Sequence, residues 1–172
     1  MQKYTPNTYH IDLSNKFWKD KATGIACVET ESKRHIGCAL GSRLKRYTER
    51  KLYKYKDRIE RAKLYAICIY YLTKDEKIDT LIICCDENFS IVKHCLLCLF
   101  DKSNTSLKII SIIEFRKILG RSIRSPADNY ARAYAKRGLK QLRWNTGTRL
   151  NVVEITYSMI KKKWEKIKNV SE

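Results

Sequence analysis

Asp57–Val92 reads DRIERAKLYAICIYYLTKDEKIDTLIICCDENFSIV. Leu64 to Leu72 is continuously apolar or aromatic, and with its charged lead-in from Asp57 it runs about 16 residues, a length that favours a helix covered by a sheet over a strand. Lys74-Asp75-Glu76-Lys77 stops it. Thr80 to Cys85 is short, apolar and bounded by acids, so it reads as an interior strand. Open sheets with crossover helices place their sites at the carboxyl ends of the strands, which is where Asp86 and Glu87 stand. Glu60 sits at the head of the long helix.

Outward to the amino end, residues 1–8 read as a lead-in and Tyr9 to Ser14 as a first strand. The polar stretch from Asn15 to Thr23 carries Lys16, Lys19, Asp20 and Lys21 and predicts a turn before a second strand, Gly24 to Thr30. Arg34 to Ser42 is the third, with Gly37 and Gly41 as weak points or bulges. Outward to the carboxyl end, Phe89 to Phe100 suits a second buried helix, Asp101 to Ser106 a turn, and Leu107 to Phe115 a strongly apolar strand. Arg116 to Pro126, RKILGRSIRSP, is a basic loop leading into a helix that Ser125 or Pro126 can start and Gly138 ends. Gln141 to Arg149 reads as a loop. Asn151 and Glu154 are spaced as a capping box for a last helix striped by Val153, Tyr157, Ile160, Trp164 and Ile167, with Lys161, Lys162, Lys163, Lys166 and Lys168 opposite. That stripe predicts a helix packed on the sheet.

Three pieces together resemble type 1 ribonuclease H. Arg58-Ile59-Glu60-Arg61-Ala62, followed by the rest of a helix, a short turn and an apolar strand ending in Asp86, is similar to the middle of that family. Tyr9-His10-Ile11-Asp12-Leu13-Ser14 is similar to its first strand, although Leu13 stands where Gly is usual. Ala127-Asp128-Asn129-Tyr130-Ala131-Arg132-Ala133-Tyr134-Ala135 is similar to its final helix. The resemblance implies an α/β fold with a mixed five-stranded sheet, three antiparallel strands followed by βαβα, and helices on both faces. Residues 1–138 would form this core with a basic insertion at 43–56, and residues 139–172 a C-terminal basic extension packed on it, ending in the extra amphipathic helix. Asp12, Glu60, Asp86 and Asp128 then correspond to the family's catalytic and metal-binding acids. Asp12 and Asp86 would bridge two Mg²⁺ ions (Mn²⁺ being the alternative), with Glu60 on the nucleophile side and Asp128 on the leaving-group side. The implied reaction is endonucleolytic hydrolysis of the RNA strand of an RNA–DNA hybrid to 5′-phosphate and 3′-hydroxyl ends. Another nuclease of the same superfold, junction resolvase or transposase-like, and an inactive nucleic-acid-binding protein are the alternatives.

Elementary chemistry agrees with four acids serving metal. Phosphodiester hydrolysis needs charge stabilised on attacking and leaving oxygens, which two ions about 4 Å apart can do. Mg²⁺ is hard and takes oxygen ligands, so carboxylates suffice. Clustered acids repel and raise one another's pKa unless cations are bound.

The chain of 172 residues carries 36 Lys and Arg against 18 Asp and Glu, a formal charge of +18. Such an excess points to a polyanionic partner. RLKRYTERKLYKYK, from Arg43 to Lys56, reads either as a solvated helix face or as a phosphate track in which Arg43, Lys45, Arg46, Arg50, Lys51, Lys54 and Lys56 neutralise phosphates and Tyr47, Tyr53 and Tyr55 stack. The family resemblance adds Ser14 as a nucleic-acid contact. Arg121 and Arg124 are candidates to steady the scissile phosphate, because the loop His that many family members keep is missing. Lys56-Asp57 stands where the family places hydrogen-bonding Asn. His10 is expected to pack on the strand face opposite Asp12.

No apolar run reaches the roughly 18 residues of a membrane span, and no signal peptide opens the chain, so an intracellular compartment is expected; the oligomeric state stays open, a monomer being the first expectation. The seven cysteines, at 27, 38, 68, 84, 85, 95 and 98, read as buried small hydrophobes. Cys95-Leu96-Leu97-Cys98 has no second pair at zinc spacing.

Overall fold

The computed structural model describes residues 7–101, 106–139 and 151–172. Most of the lead-in, most of the 101–106 turn and the whole 141–149 loop lie outside these residues. Three antiparallel strands open the fold: β1 (Thr8–Ser14), β2 (Thr23–Glu29) and β3 (His35–Leu40). α1 (Ser42–Leu52) and α2 (Asp57–Thr73) follow, then β4 (Thr80–Ile83), α3 (Phe89–Leu99), β5 (Lys108–Ser111), α4 (Ile112–Leu119) and α5 (Asp128–Ala133). A π-helical turn, Tyr134–Gly138, continues α5, and α6 (Tyr157–Ile167) closes the chain. The sheet order is β3-β2-β1-β4-β5. β1 pairs antiparallel with β2 and parallel with β4, and β4 is parallel to β5.

β1 is central and covered on both faces. Tyr9, Ile11 and Leu13 join the main core with α2, α3 and α6, while the other face, built from Ala26, Val28, Ile82 and Ile110, is covered by α4, α5 and Tyr134. α2 is buried nearly all round, from Ile59 to Thr73, because the sheet lies on one side of it and α3 and α6 on the other. Its first turn carries Asp57 and Glu60, which complements the positive end of the helix dipole. Asn88 caps α3 by accepting from the Ile91 N–H.

Six local expectations are corrected. The apolar run after Leu107 is strand only to Ser111, whose hydroxyl accepts from the Glu114 N–H at 3.0 Å and starts α4; Ile112 and Phe115 then turn inward at helical spacing. Gly37 marks no bulge, since β2 and β3 stay in register through Ala26–Gly37; a Cβ there would meet the Tyr134 ring at 2.5 Å. Gly138 does not stop its helix, because Leu139 keeps helical dihedrals. The cap of α6 is Thr156, accepting from the Met159 N–H, not Asn151. Asn151–Val153 is instead extended along the β3 edge, with Gly37 N–H donating to the Asn151 carbonyl (3.0 Å) and Val153 N–H to the Gly37 carbonyl (2.8 Å).

The fifth correction concerns His10. Residues two apart on a strand share a face, so His10 and Asp12 both project toward α4 and α5, and His10 packs edge-on against Phe115 at 5.5 Å. α6 does bury Ile160, Trp164 and Ile167, but it lies on α2 and α3, one layer out from the sheet.

Candidate metal centre and its basic surroundings

β1 and β4 run side by side in parallel, so their carboxyl ends emerge together. The Cys84 N–H donates to the Ile11 carbonyl at 3.0 Å, extending the pairing one residue past β4 and setting Cys84 beside Asp12. Asp86 follows two residues on. One ligand atom from each of Asp12, Cys84 and Asp86 lies within 4.8 Å of the others.

The two carboxylates differ in setting. Asp12 is buried and its Oδ1 accepts from the Leu13 N–H at 2.8 Å; Asp86 is exposed, with the Lys16 ammonium 3.9 Å away. Burial pushes the Asp12 carboxyl above its ordinary value, and the nearby Asp86 adds to this, while hydrogen bonds from the Cys84 thiol, the Leu13 N–H and the Ser125 hydroxyl pull the other way. Burial also drives the Cys84 thiol well above its ordinary range, so it stays protonated and serves as a donor to Asp12. Its sulfur lies 3.3 Å from the Tyr65 hydroxyl. What the group offers a cation is therefore two hard oxygen donors, a set suited to a divalent ion that keeps several waters.

Glu60 and Asp128 are not part of this group. Glu60 is 1% exposed and accepts from Lys63 Nζ at 3.0 Å. Lys63 also donates to the Lys168 carbonyl at 2.8 Å and lies 4.6 Å from the Tyr55 ring centroid. The pair faces α6, so the expectation that Glu60 joins the other acids is not met. Arg61 is the side chain that turns toward the strand ends, 3.7 Å from Glu87. Burial pushes the Glu87 carboxyl up to about 7. Asp128 opens α5 and is held by Arg124, whose Nε lies 3.0 Å away, and by Arg132 at 3.2 Å.

The basic candidates divide. Arg43, Arg46, Arg50, Lys51, Lys54 and Lys56 are exposed on α1 and the link that follows, as is Arg121 after α4. Lys45 is not: it is 6% exposed and donates to the Lys19 and Lys21 carbonyls and to Thr23 Oγ1, so it ties the β1–β2 connection to α1 and cannot track phosphates. Arg46 pairs with Asp20 at 3.1 Å, and Arg124 is committed to Asp128. Ser14 is half-buried at the end of β1. The tyrosines of the basic stretch pack on their own chain: Tyr47 meets Tyr157 edge-on and Tyr53 stacks on Trp164 at 5.7 Å.

Cys84, Ser125 and Arg61 were not visible as site neighbours from residue type. Cys84 carried one signal, its place two residues before Asp86 at the end of a buried strand. Compared with known proteins, the chain matches no family model, no curated protein and no solved structure.

Proposed function

We propose that the chain is a metal-dependent nuclease of the ribonuclease H-like superfold that hydrolyses the RNA strand of RNA–DNA hybrids. The observation that carries this reading is the meeting of Asp12 and Asp86 at the carboxyl ends of two adjacent central strands, on a chain of charge +18. A sheet of three antiparallel strands continued by two parallel ones supports the superfold, and the three resembling segments support the family.

Asp12 and Asp86 would hold a divalent ion, Mg²⁺ or Mn²⁺. When bound, such an ion lowers the pKa of a coordinated water and neutralises charge on phosphate oxygens. Asp12 is the fixed member, pinned by Leu13, Cys84 and Ser125; Asp86 is the open member, facing the substrate. Lys16 offsets the charge of the pair and is placed to meet a phosphate. To join on the leaving-group side Asp128 would give up its pairs with Arg124 and Arg132, a small cost, since both arginines are more than half exposed and exposed pairs contribute little. Glu60 serves as a structural residue in this reading.

A second reading, a DNA nuclease of the same superfold, is favoured by Lys56-Asp57 standing where hybrid-reading Asn is expected. The test is cleavage of end-labelled hybrid, RNA duplex, DNA duplex and four-way junction with Mg²⁺, Mn²⁺ or chelator, with Asp86→Asn as control. Metal-dependent cutting of hybrid alone, lost in the variant, is the expected result. Cutting of DNA or junction alone moves the reading to the second; binding without cutting under either metal overturns both and leaves a nucleic-acid-binding protein.

A further inference from the structure

The β1–β2 connection sends consecutive aromatic rings in opposite directions. Phe17 is 6% exposed and packs on Tyr65 at 6.0 Å, the ring whose hydroxyl reaches Cys84. Trp18 is 62% exposed, the most exposed large apolar side chain among the described residues, with Lys19 Nζ 5.6 Å from its ring centroid. Single exposed apolar side chains are ordinary; this one is distinguished by what holds and surrounds it. The connection is rigid: Lys45 grips the Lys19 and Lys21 carbonyls, Thr23 Oγ1 donates to the Asn15 carbonyl at 2.6 Å, Asn15 Nδ2 donates to the Ala22 carbonyl at 3.1 Å, and the Lys19 N–H donates to the Lys16 carbonyl at 3.0 Å. The ring is thus presented on a fixed support.

Trp18 forms one wall of a groove of about 410 Å³ between this connection, α1 and the head of α2. Phe17, Tyr53, Arg46 and Arg61 line it too, together with the acids Asp20, Glu49 and Asp57; Arg46 pairs with Asp20 and Arg61 with Glu87. Lys16, on the same connection, is 3.9 Å from Asp86, so the groove adjoins the candidate metal centre. An exposed ring with Lys19 beside it, in a cleft of this volume, has the recognition chemistry of one nucleotide: the base stacks, and the phosphate meets Lys19 or draws Arg46 from its exposed pair with Asp20. A base inside a duplex hides both faces between its neighbours, so the groove selects an unpaired one.

We propose that Trp18 is a stacking platform for an unpaired nucleotide, and that the groove leads a single-stranded segment of nucleic acid to Asp12 and Asp86. This rests on the nucleic-acid reading above and adds a substrate feature to it, a single-stranded stretch beside the point of attack.

The test is fluorescence anisotropy in chelator, where no cleavage enters, with a labelled oligothymidylate of about 12 nucleotides and a blunt hybrid duplex, for the unmodified chain, Trp18→Ala and Trp18→Phe. Trp18→Ala should weaken oligothymidylate binding on the order of 10-fold, Trp18→Phe should retain most of the affinity, and blunt-duplex binding and the thermal midpoint should not move. Unchanged oligothymidylate affinity in Trp18→Ala overturns the proposal, as does an equal loss on both ligands. Should no substrate be cut with any metal while the Trp18 variants still separate the two ligands, the nuclease reading fails and the platform stands. Cleavage that depends on Asp86, with Trp18→Ala binding as before, gives the reverse.

Discussion

Lys63 is wholly buried, and its ion pair with Glu60 sits under Trp164 and Lys168 of the C-terminal segment. Removing one partner of such a pair strands a charge, at a cost of about 3–5 kcal/mol, whereas removing both can be nearly neutral. Glu60→Gln and Lys63→Met should each lower urea-unfolding stability by that order, and the double variant should recover most of the loss. Glu60→Gln should keep its metal-dependent cleavage rate where folded, whereas Asp12→Asn should lose it at full stability. His10 gives a pH prediction. Burial lowers its pKa from 6.5 to about 4, and its Nδ1 has no partner. Between those values the unfolded chain binds more protons than the folded one, so stability rises with pH through the window and is lost on acidification. Thermal midpoints in chelator should fall from pH 6.5 to 4, and His10→Leu should flatten that slope. Asp12 and Asp86 were legible as a pair because strand ends are directional. Which way Glu60 points was not: a helix apolar from Leu64 to Leu72 has no polar side to set its phase, so nothing local fixed the direction of Glu60 until α6 and the sheet took their places.

β2 and α5 approach closely at Gly24. A Cβ on Gly24 would fall 2.1 Å from the Ala131 carbonyl and 2.3 Å from the Ala135 nitrogen. This contact seats α5, and with it Ser125 and Asp128, against the end of β1 that carries Asp12. Gly24→Ala should therefore destabilise by about 1–3 kcal/mol or more, read in chemical denaturation. It should also impair cleavage in the fraction that stays folded, since α5 must lift. The core helices α2 and α3 were legible from the length of their apolar runs. The β5–α4 boundary was not, because Leu107 to Phe115 is apolar enough for either state, and the switch depends on Ser111 finding the Glu114 N–H.

At the scale of the whole molecule, charge and the C-terminal segment matter most. If α1, the β1–β2 connection and Arg121 meet phosphates together, the logarithm of affinity for a duplex should fall steeply with the logarithm of salt, by about 0.9 per phosphate neutralised; a flat response would remove them from the interface. Deleting residues 151–172 takes Ile160, Trp164, Ile167 and Val170 out of the main core and uncovers the Glu60–Lys63 pair. The deletion should abolish cooperative unfolding rather than merely detach a partner-binding tail, a difference that a urea titration shows.

Sequence alone determined that this is an α/β chain, where its buried helices and central strands run, that its charge suits a polyanion, and that Asp12 and Asp86 stand at strand ends. Those properties follow from local periodicity, strand direction and composition, which each segment carries by itself. Only the tertiary structure decided that Glu60 turns to Lys63, that Lys45 is a structural clamp, that Cys84 hydrogen-bonds Asp12, and that Trp18 stands over a groove beside the acids. A side chain's partner depends on which elements cover its own, and long-range packing sets that where local pattern leaves the choice open.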